Sequence, residues 1–181
     1  MSFARDLTST LAVRFLTLGL AFLANVLAAR TLGSAGMGAY ALIMTTLALM
    51  LLLGSAGLES ANVYLAGKGR YPLGALVANS CWVALAGAAL CAAVFWACRD
   101  RAFATILRGV EPAYMVIGLL ALPAMLAKVC LQGLLRGTNR LAAWNGTVLA
   151  EAVLLLAVLL ACLQGWRLGV YGAMVSQLVV A

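Results

Sequence analysis

The sequence contains no histidine and only five acidic residues, Asp6, Glu59, Asp100, Glu111 and Glu151, among 181. Without an imidazole, the side chain that most often serves general acid–base chemistry near neutral pH is missing. Asp100 and Glu111 are the loop acids after Asp6. Nothing in the sequence pairs them into the carboxylate cluster that a membrane enzyme of lipid or glycan assembly needs. There is no nucleophile elbow and no glycine-rich nucleotide loop. No basic run with interleaved aromatics marks a nucleic-acid surface. The five cysteines, Cys81, Cys91, Cys98, Cys130 and Cys162, include no Cys-x-x-Cys pair. They sit in or at the ends of apolar runs, where they act as small hydrophobes. The expectation is a protein without catalytic residues, metal or cofactor, and without a nucleic-acid partner.

Charge is scarce altogether. Charged residues are 9% of the chain and hydrophobic ones 66%, where soluble domains carry about 25% charged residues. Such a chain cannot cover itself with polar surface, so the reading is an integral membrane protein. The apolar runs are continuous and about twenty residues long, which suits helices. The strands of a membrane barrel alternate in segments of about ten. The net charge of +7 lies mostly between the runs and suits anionic lipid headgroups. A signal peptide is not expected: Arg5 precedes an apolar run, but no small-x-small site precedes Arg30. The first helix should stay as an anchor.

In order, the pattern predicts an all-α bundle of about six transmembrane helices in one lobe, residues 1–181, with helices at 8–30, 38–66, 73–97, 113–135, 141–163 and 168–181. Arg99 to Gly109 reads as a short surface helix or a plain loop, with Phe103, Ile106 and Leu107 three and four apart. Pro112 suits a first helical turn, and Pro123 lies inside a span, where it should kink the helix. Trp96 and Trp166 fall near span ends, as interfacial anchors do. Asn145-Gly146-Thr147 matches a glycosylation sequon but lies within a span, so the match reads as chance. The sixth helix holds about fourteen residues against the roughly twenty of a full span. The expectation is therefore a fragment or a short last helix. Loop arginines and lysines divide evenly between the two sides, so charge fixes no orientation.

The stretch from Ala28 to Ala66 organises the chain. It reads Ala29-Arg30-x-Leu32-Gly33-x-x-Gly36-x-Gly38-x-Tyr40, then an apolar run, then Gly54-x-x-Gly57-Leu58-x-x-Ala61-x-x-Tyr64-Leu65-Ala66. Gly33, Gly36 and Gly38 read as a tight turn between two membrane helices. These linked patterns resemble the first two helices of the Wzx-type polysaccharide-biosynthesis flippases. Those belong to the superfamily that also holds the MATE drug exporters and the lipid II flippases. The turn Leu134-Leu-Arg-Gly-Thr-Asn-Arg-Leu141 and Gly169-x-x-Gly172-Ala173 resemble that family's later helices less specifically. The resemblance covers the first of the family's two six-helix lobes.

Four ionisable residues fall inside predicted spans: Arg14, Glu59, Lys128 and Glu151. Such groups are costly in lipid and face a partner or a watery cavity. Each carries neighbours at helical spacing: Arg14 with Thr17, Ala21 and Asn25; Glu59 with Ser55 and Asn62; Lys128 with Gln132; Glu151 with Trp144 and Thr147. A bundle would turn these stripes inward. Counted along alternating helices, all four charges lie in the same half of the membrane. They are either two structural ion pairs or part of a cavity. In the cavity reading Arg14, Asn25, Lys128 and Gln132 bind substrate, with Arg suited to a pyrophosphate through paired hydrogen bonds. Glu59 and Glu151 would carry a coupling ion or belong to an ion pair.

The resemblance implies a bacterial inner-membrane carrier with its amino terminus in the cytoplasm. It would move a polyprenyl-pyrophosphate-linked oligosaccharide, an anionic lipid, to the outer leaflet by alternating access. A second lobe or a second copy of the chain would be the partner. A MATE-like exporter of small molecules and a non-transporting assembly subunit stand as alternatives.

Overall fold

The computed structural model describes residues 2–165 and 168–181. Its elements are α1 (Ser2–Ser55), α2 (Leu58–Lys68), α3 (Leu73–Thr105), α4 (Pro112–Gly137), α5 (Leu141–Leu160), a π-helical turn (Ala161–Gly165) and α6 (Gly169–Val180). Among the described residues no strand occurs. Thr8–Ser55, Leu73–Thr105, Pro112–Gly137 and Leu141–Gly165 are each long and apolar enough to cross a bilayer, and Gly169–Val180 is a shorter apolar helix. This is an all-α chain with the build of a multi-pass membrane protein. Its large outward side chains, such as Phe15, Leu53 and Trp82, are apolar, as lipid contact requires.

The first element departs most from the expectation. At 54 residues a straight α1 would reach about 80 Å, against a hydrocarbon core of about 30 Å. It breaks at Gly33, whose φ of 68° and ψ of −177° are not helical. The break reverses the chain. Asn25 and Met44 line one cleft, whereas a straight helix would set them about 28 Å apart. Directions agree. The Asn145 amide donates to Thr10 Oγ1 at 3.1 Å, and Ala24 shares a core cluster with Leu159. The first arm therefore runs parallel to α5. A β-carbon on Gly118 would meet Leu47, and one on Gly54 would meet Leu126, so the second arm runs parallel to α4. Lys128 and Glu151 meet across the short turn between α4 and α5, which makes those two antiparallel. The two arms of α1 are antiparallel in turn.

Only Gly33 of the three turn glycines has a positive φ. The expected multi-residue connection is one residue long, because a left-handed residue suffices to reverse the helix. Gly36 serves packing instead: an added β-carbon would lie 3.2 Å from Val170 Cγ2. The helix expected at 38–66 is also divided. Ala56 and Gly57 both take positive φ, 44° and 76°, so α2 begins afresh at Leu58. The charged stretch from Arg99 is neither surface helix nor loop up to Thr105; it is the end of α3. Phe103 turns inward onto Phe95, edge to face at 6.1 Å, and Leu107 is buried while Ile106 faces out. The end of the fifth span winds into the π turn. The side chain of Arg5, and Trp166 and Arg167, lie outside the described residues.

α4 is the centre of the bundle and touches every other α-helix. Apolar burial drives helix association little in lipid, so close packing has to do it. Small residues on α4 let the neighbours in. A β-carbon at Gly133 would stand 2.7 Å from the Glu59 carbonyl oxygen, and one at Gly137 2.6 Å from that of Val63. At the α1–α3 crossing, one at Gly87 would overlap the Gly54 carbonyl oxygen. A buried polar node locks the same region. The Asn62 amide donates to Ser80 Oγ at 2.7 Å and to the Cys130 carbonyl at 3.0 Å, joining α2, α3 and α4.

Gly133→Ala should therefore force α2 off α4 and lower stability by about 1–3 kcal/mol, read as a drop in Tm in detergent micelles. Gly146→Ala, with nothing within 4 Å of its added carbon, should leave Tm unchanged.

Candidate functional site

The ionisable residues of the spans gather at one end of the bundle, the end of the α2–α3 and α4–α5 turns. α4 supplies the central stripe. Lys128, Gln132 and Arg136 are four residues apart on one face. Lys128 Nζ donates to Glu151 Oε1 at 2.9 Å, both side chains half-buried. Arg136, in the last turn of α4, pairs with Glu59 in the first turn of α2. Its guanidinium also stacks over the Trp144 ring of α5 at 5.5 Å. Arg136 thus ties three helices together, and its Nε is buried with no partner among the described residues.

One ion pair, Lys128–Glu151, lies within the predicted set of four, and the other acid is paired from outside it. Glu59 takes Arg136, not a residue from the predicted set. Arg136 belonged to a turn in the sequence reading, although its spacing from Lys128 and Gln132 continued their stripe. Arg14 is left over. It is exposed and takes part in no ion pair among the described residues. It lines a cleft of about 240 Å³ with Thr17, Trp144, Asn145 and Val148. Arg140, at the start of α5, is likewise exposed and unpaired among the described residues.

The clefts at this end connect through shared residues. Thr17 and Val148 lead from the Arg14 cleft into one of about 380 Å³ that also holds Ala21, Gln132 and Glu151. Gln132 leads on to a third, of about 640 Å³, lined by Lys128, Arg140, Thr138 and Thr147 with Leu73, Leu131 and Leu135. Arg14, Lys128, Gln132 and Glu151 therefore open onto one series of clefts, whose other walls are mostly apolar but include Arg140, Asn145 and three threonines, Thr17, Thr138 and Thr147. Asn25 lies at the far end of the same series, because Ala21, Ala24 and Leu155 line both its cleft and that of Glu151. Its amide donates to the Ala21 carbonyl at 2.9 Å. Its cleft, shared with Tyr40 and Gln177, lies nearer the Gly33 turn.

The motif residues of the Ala28–Ala66 stretch are structural in their contacts. Leu32 packs beside Ala24 and Ala28. Tyr40 Oη accepts from Gln177 Nε2 at 2.8 Å and so fastens the second arm of α1 to α6. Gly38 has open space around it. Gly57 is the left-handed residue before α2, and Leu58 is its first helical residue. Sequence reasoning missed the Asn62–Ser80 and Tyr40–Gln177 bonds, because residues 18 and 137 apart carry no local signal of contact. No family model, curated protein or solved structure matches the chain.

The pairing has a direct test. Lys128→Glu or Glu151→Lys alone should lower stability by about 1–3 kcal/mol, between the values of exposed and buried pairs. The double exchange should recover most of the loss, measured as Tm in micelles. Failure of the exchange to recover it would mean that the two side chains act separately.

Proposed function

We propose that the chain is one lobe of a carrier for an anionic lipid-linked oligosaccharide, of the Wzx flippase type, with the cleft series as its share of the substrate path. One observation carries this reading: the charge balance of the cluster. Glu59 and Glu151 each have a cation of their own, whereas Arg14 and Arg140 have no acid among the described residues. Among the described residues, three cations (Arg14, Lys128 and Arg140) and one acid (Glu151) line these largely apolar clefts, which favours an anion joined to a hydrocarbon chain. A pyrophosphate on a polyprenyl tail has that chemistry. Guanidinium groups would hold its oxygens through paired hydrogen bonds.

The resemblance in the Ala28–Ala66 stretch supports the same assignment and supplies its direction, from the cytoplasmic to the outer leaflet of a bacterial inner membrane. A second lobe, or a second copy, would face these clefts and complete the path. In this reading each acid–cation pair holds the helices together, and Glu151, beside Gln132, is the candidate for ion coupling. No step needs a bond to form or break. The second reading, a MATE-like exporter of cationic compounds, would need a free carboxylate in the clefts.

Binding of a short-chain polyprenyl pyrophosphate to the purified chain in neutral micelles tests the assignment. Arg14→Gln should weaken it about tenfold, the worth of one charge-assisted contact, and Arg14→Gln with Arg140→Gln further, with Tm unchanged. Unaltered binding in the double variant, or tighter binding of a cationic dye than of the pyrophosphate, would contradict it.

A further inference from the structure

A second recess lies at the opposite end of the bundle. The second arm of α1 and α3 come closest at Gly54 and Gly87, where backbone meets backbone. Beyond that crossing the helices leave a groove of about 600 Å³. Its floor is small and apolar, with Ala86, Gly87 and Cys91 followed by Val94, Cys98 and Ala102. Hardly any polar surface lines it, in contrast to the clefts around Arg14.

Its length and position are those of one leaflet. From Gly87, near the middle of α3, to Cys98 is about 17 Å at 1.5 Å per residue. Half of the hydrocarbon core is about 15 Å. The groove thus runs from mid-membrane to the interface. There Trp96 stands beside Arg99, whose guanidinium stacks on the indole at 4.8 Å. Such an aromatic–arginine pair fits the headgroup level. Arg101 follows one helical turn after Cys98, and Arg108 follows Ile106 and Leu107, which close the groove. The acids nearby are Asp100, paired with Arg99 at 3.3 Å and almost fully exposed, and Glu111, also exposed. Arg101 and Arg108 are exposed and in no ion pair among the described residues.

We propose that this groove is a site for one resident anionic glycerophospholipid, its acyl chain against Ala86–Ala102 and its phosphate headgroup at Arg101 and Arg108. The match of groove length to a single leaflet argues for an ordinary acyl chain over a much longer polyprenyl tail. The charge at the mouth argues for an anionic headgroup over a zwitterionic one. The site does not depend on the transport reading, since it shares no residue with the clefts of the other end.

Native mass spectrometry of the full chain in neutral detergent tests it. Phosphatidylglycerol and phosphatidylcholine of identical acyl chains are added separately, and bound lipid is counted as collision energy rises. One phosphatidylglycerol should be retained with an affinity about tenfold above that of phosphatidylcholine, near the worth of a basic residue or two at a membrane surface. Arg101→Gln with Arg108→Gln should erase the preference. Ala86→Phe, which fills the groove from an exposed position, should remove the retained lipid with no loss of Tm. Equal retention of the two lipids by the unaltered chain would overturn the proposal. So would phosphatidylglycerol binding that survives Ala86→Phe, or displacement of the bound lipid by equimolar polyprenyl phosphate.

Discussion

An ionised carboxylate inside an apolar bundle needs a cation beside it, and both such carboxylates here find theirs on α4. Glu59 meets Arg136 and Glu151 meets Lys128. The two cations lie two turns apart on one face of the central helix. α2 and α5 are thereby held against α4 at one end, while glycines on α4 admit the backbone of α2 along its length. The demand for charge pairing and the demand for close packing are met by the same helix. Breaking the first leaves an uncompensated charge, more costly in a low-dielectric setting than in water, and breaking the second leaves a steric clash.

That arrangement also decides what is left over. With the acids engaged, the remaining arginines give the end of the bundle its sign. The opposite end has a different character. There the arginines of the α3 terminus and of the loop after it stand at the mouth of an apolar groove that no polar stripe enters. The two ends thus present two kinds of recess, one branched and polar-edged, one straight and apolar. In the proposed reading the first takes a large anionic headgroup in transit and the second a lipid that stays.

Much of the architecture was legible because membrane helices announce themselves. Runs of apolar residues about as long as the bilayer is thick leave few alternatives, and the breaks at Gly69–Pro72 and Thr138–Arg140 fell where turn residues sit. Gly33 was legible as a reversal, but not that it acts alone, since three glycines in six residues look alike without φ angles. The division at Ala56–Gly57 was hidden because alanine seldom takes a left-handed conformation. The extension of α3 through Arg99–Thr105 was hidden by its charge, which reads as loop until Phe103 is seen against Phe95. Within the site, spacing put Lys128 and Glu151 at matching depth. The choice of Arg136 over Arg14 for Glu59 depended on which helices are neighbours, and no local pattern encodes that. Asn25 shared the stripe of Arg14 and lies farther along the same series, where Tyr40 and Gln177 join α5 in lining the cleft.

The proposed substrate path requires that the cation-rich clefts between the first arm of α1 and α5 be open to water although they lie within a membrane span. Accessibility of a cysteine at position 17 tests it most directly. In a chain freed of its five native cysteines, Thr17→Cys should react quickly with a charged, membrane-impermeant thiol reagent added at the end that holds the cluster. Leu16→Cys, on the lipid-facing side, should not react. A Thr17→Cys variant as inert as Leu16→Cys would contradict the claim and reduce the cluster to a sealed set of ion pairs.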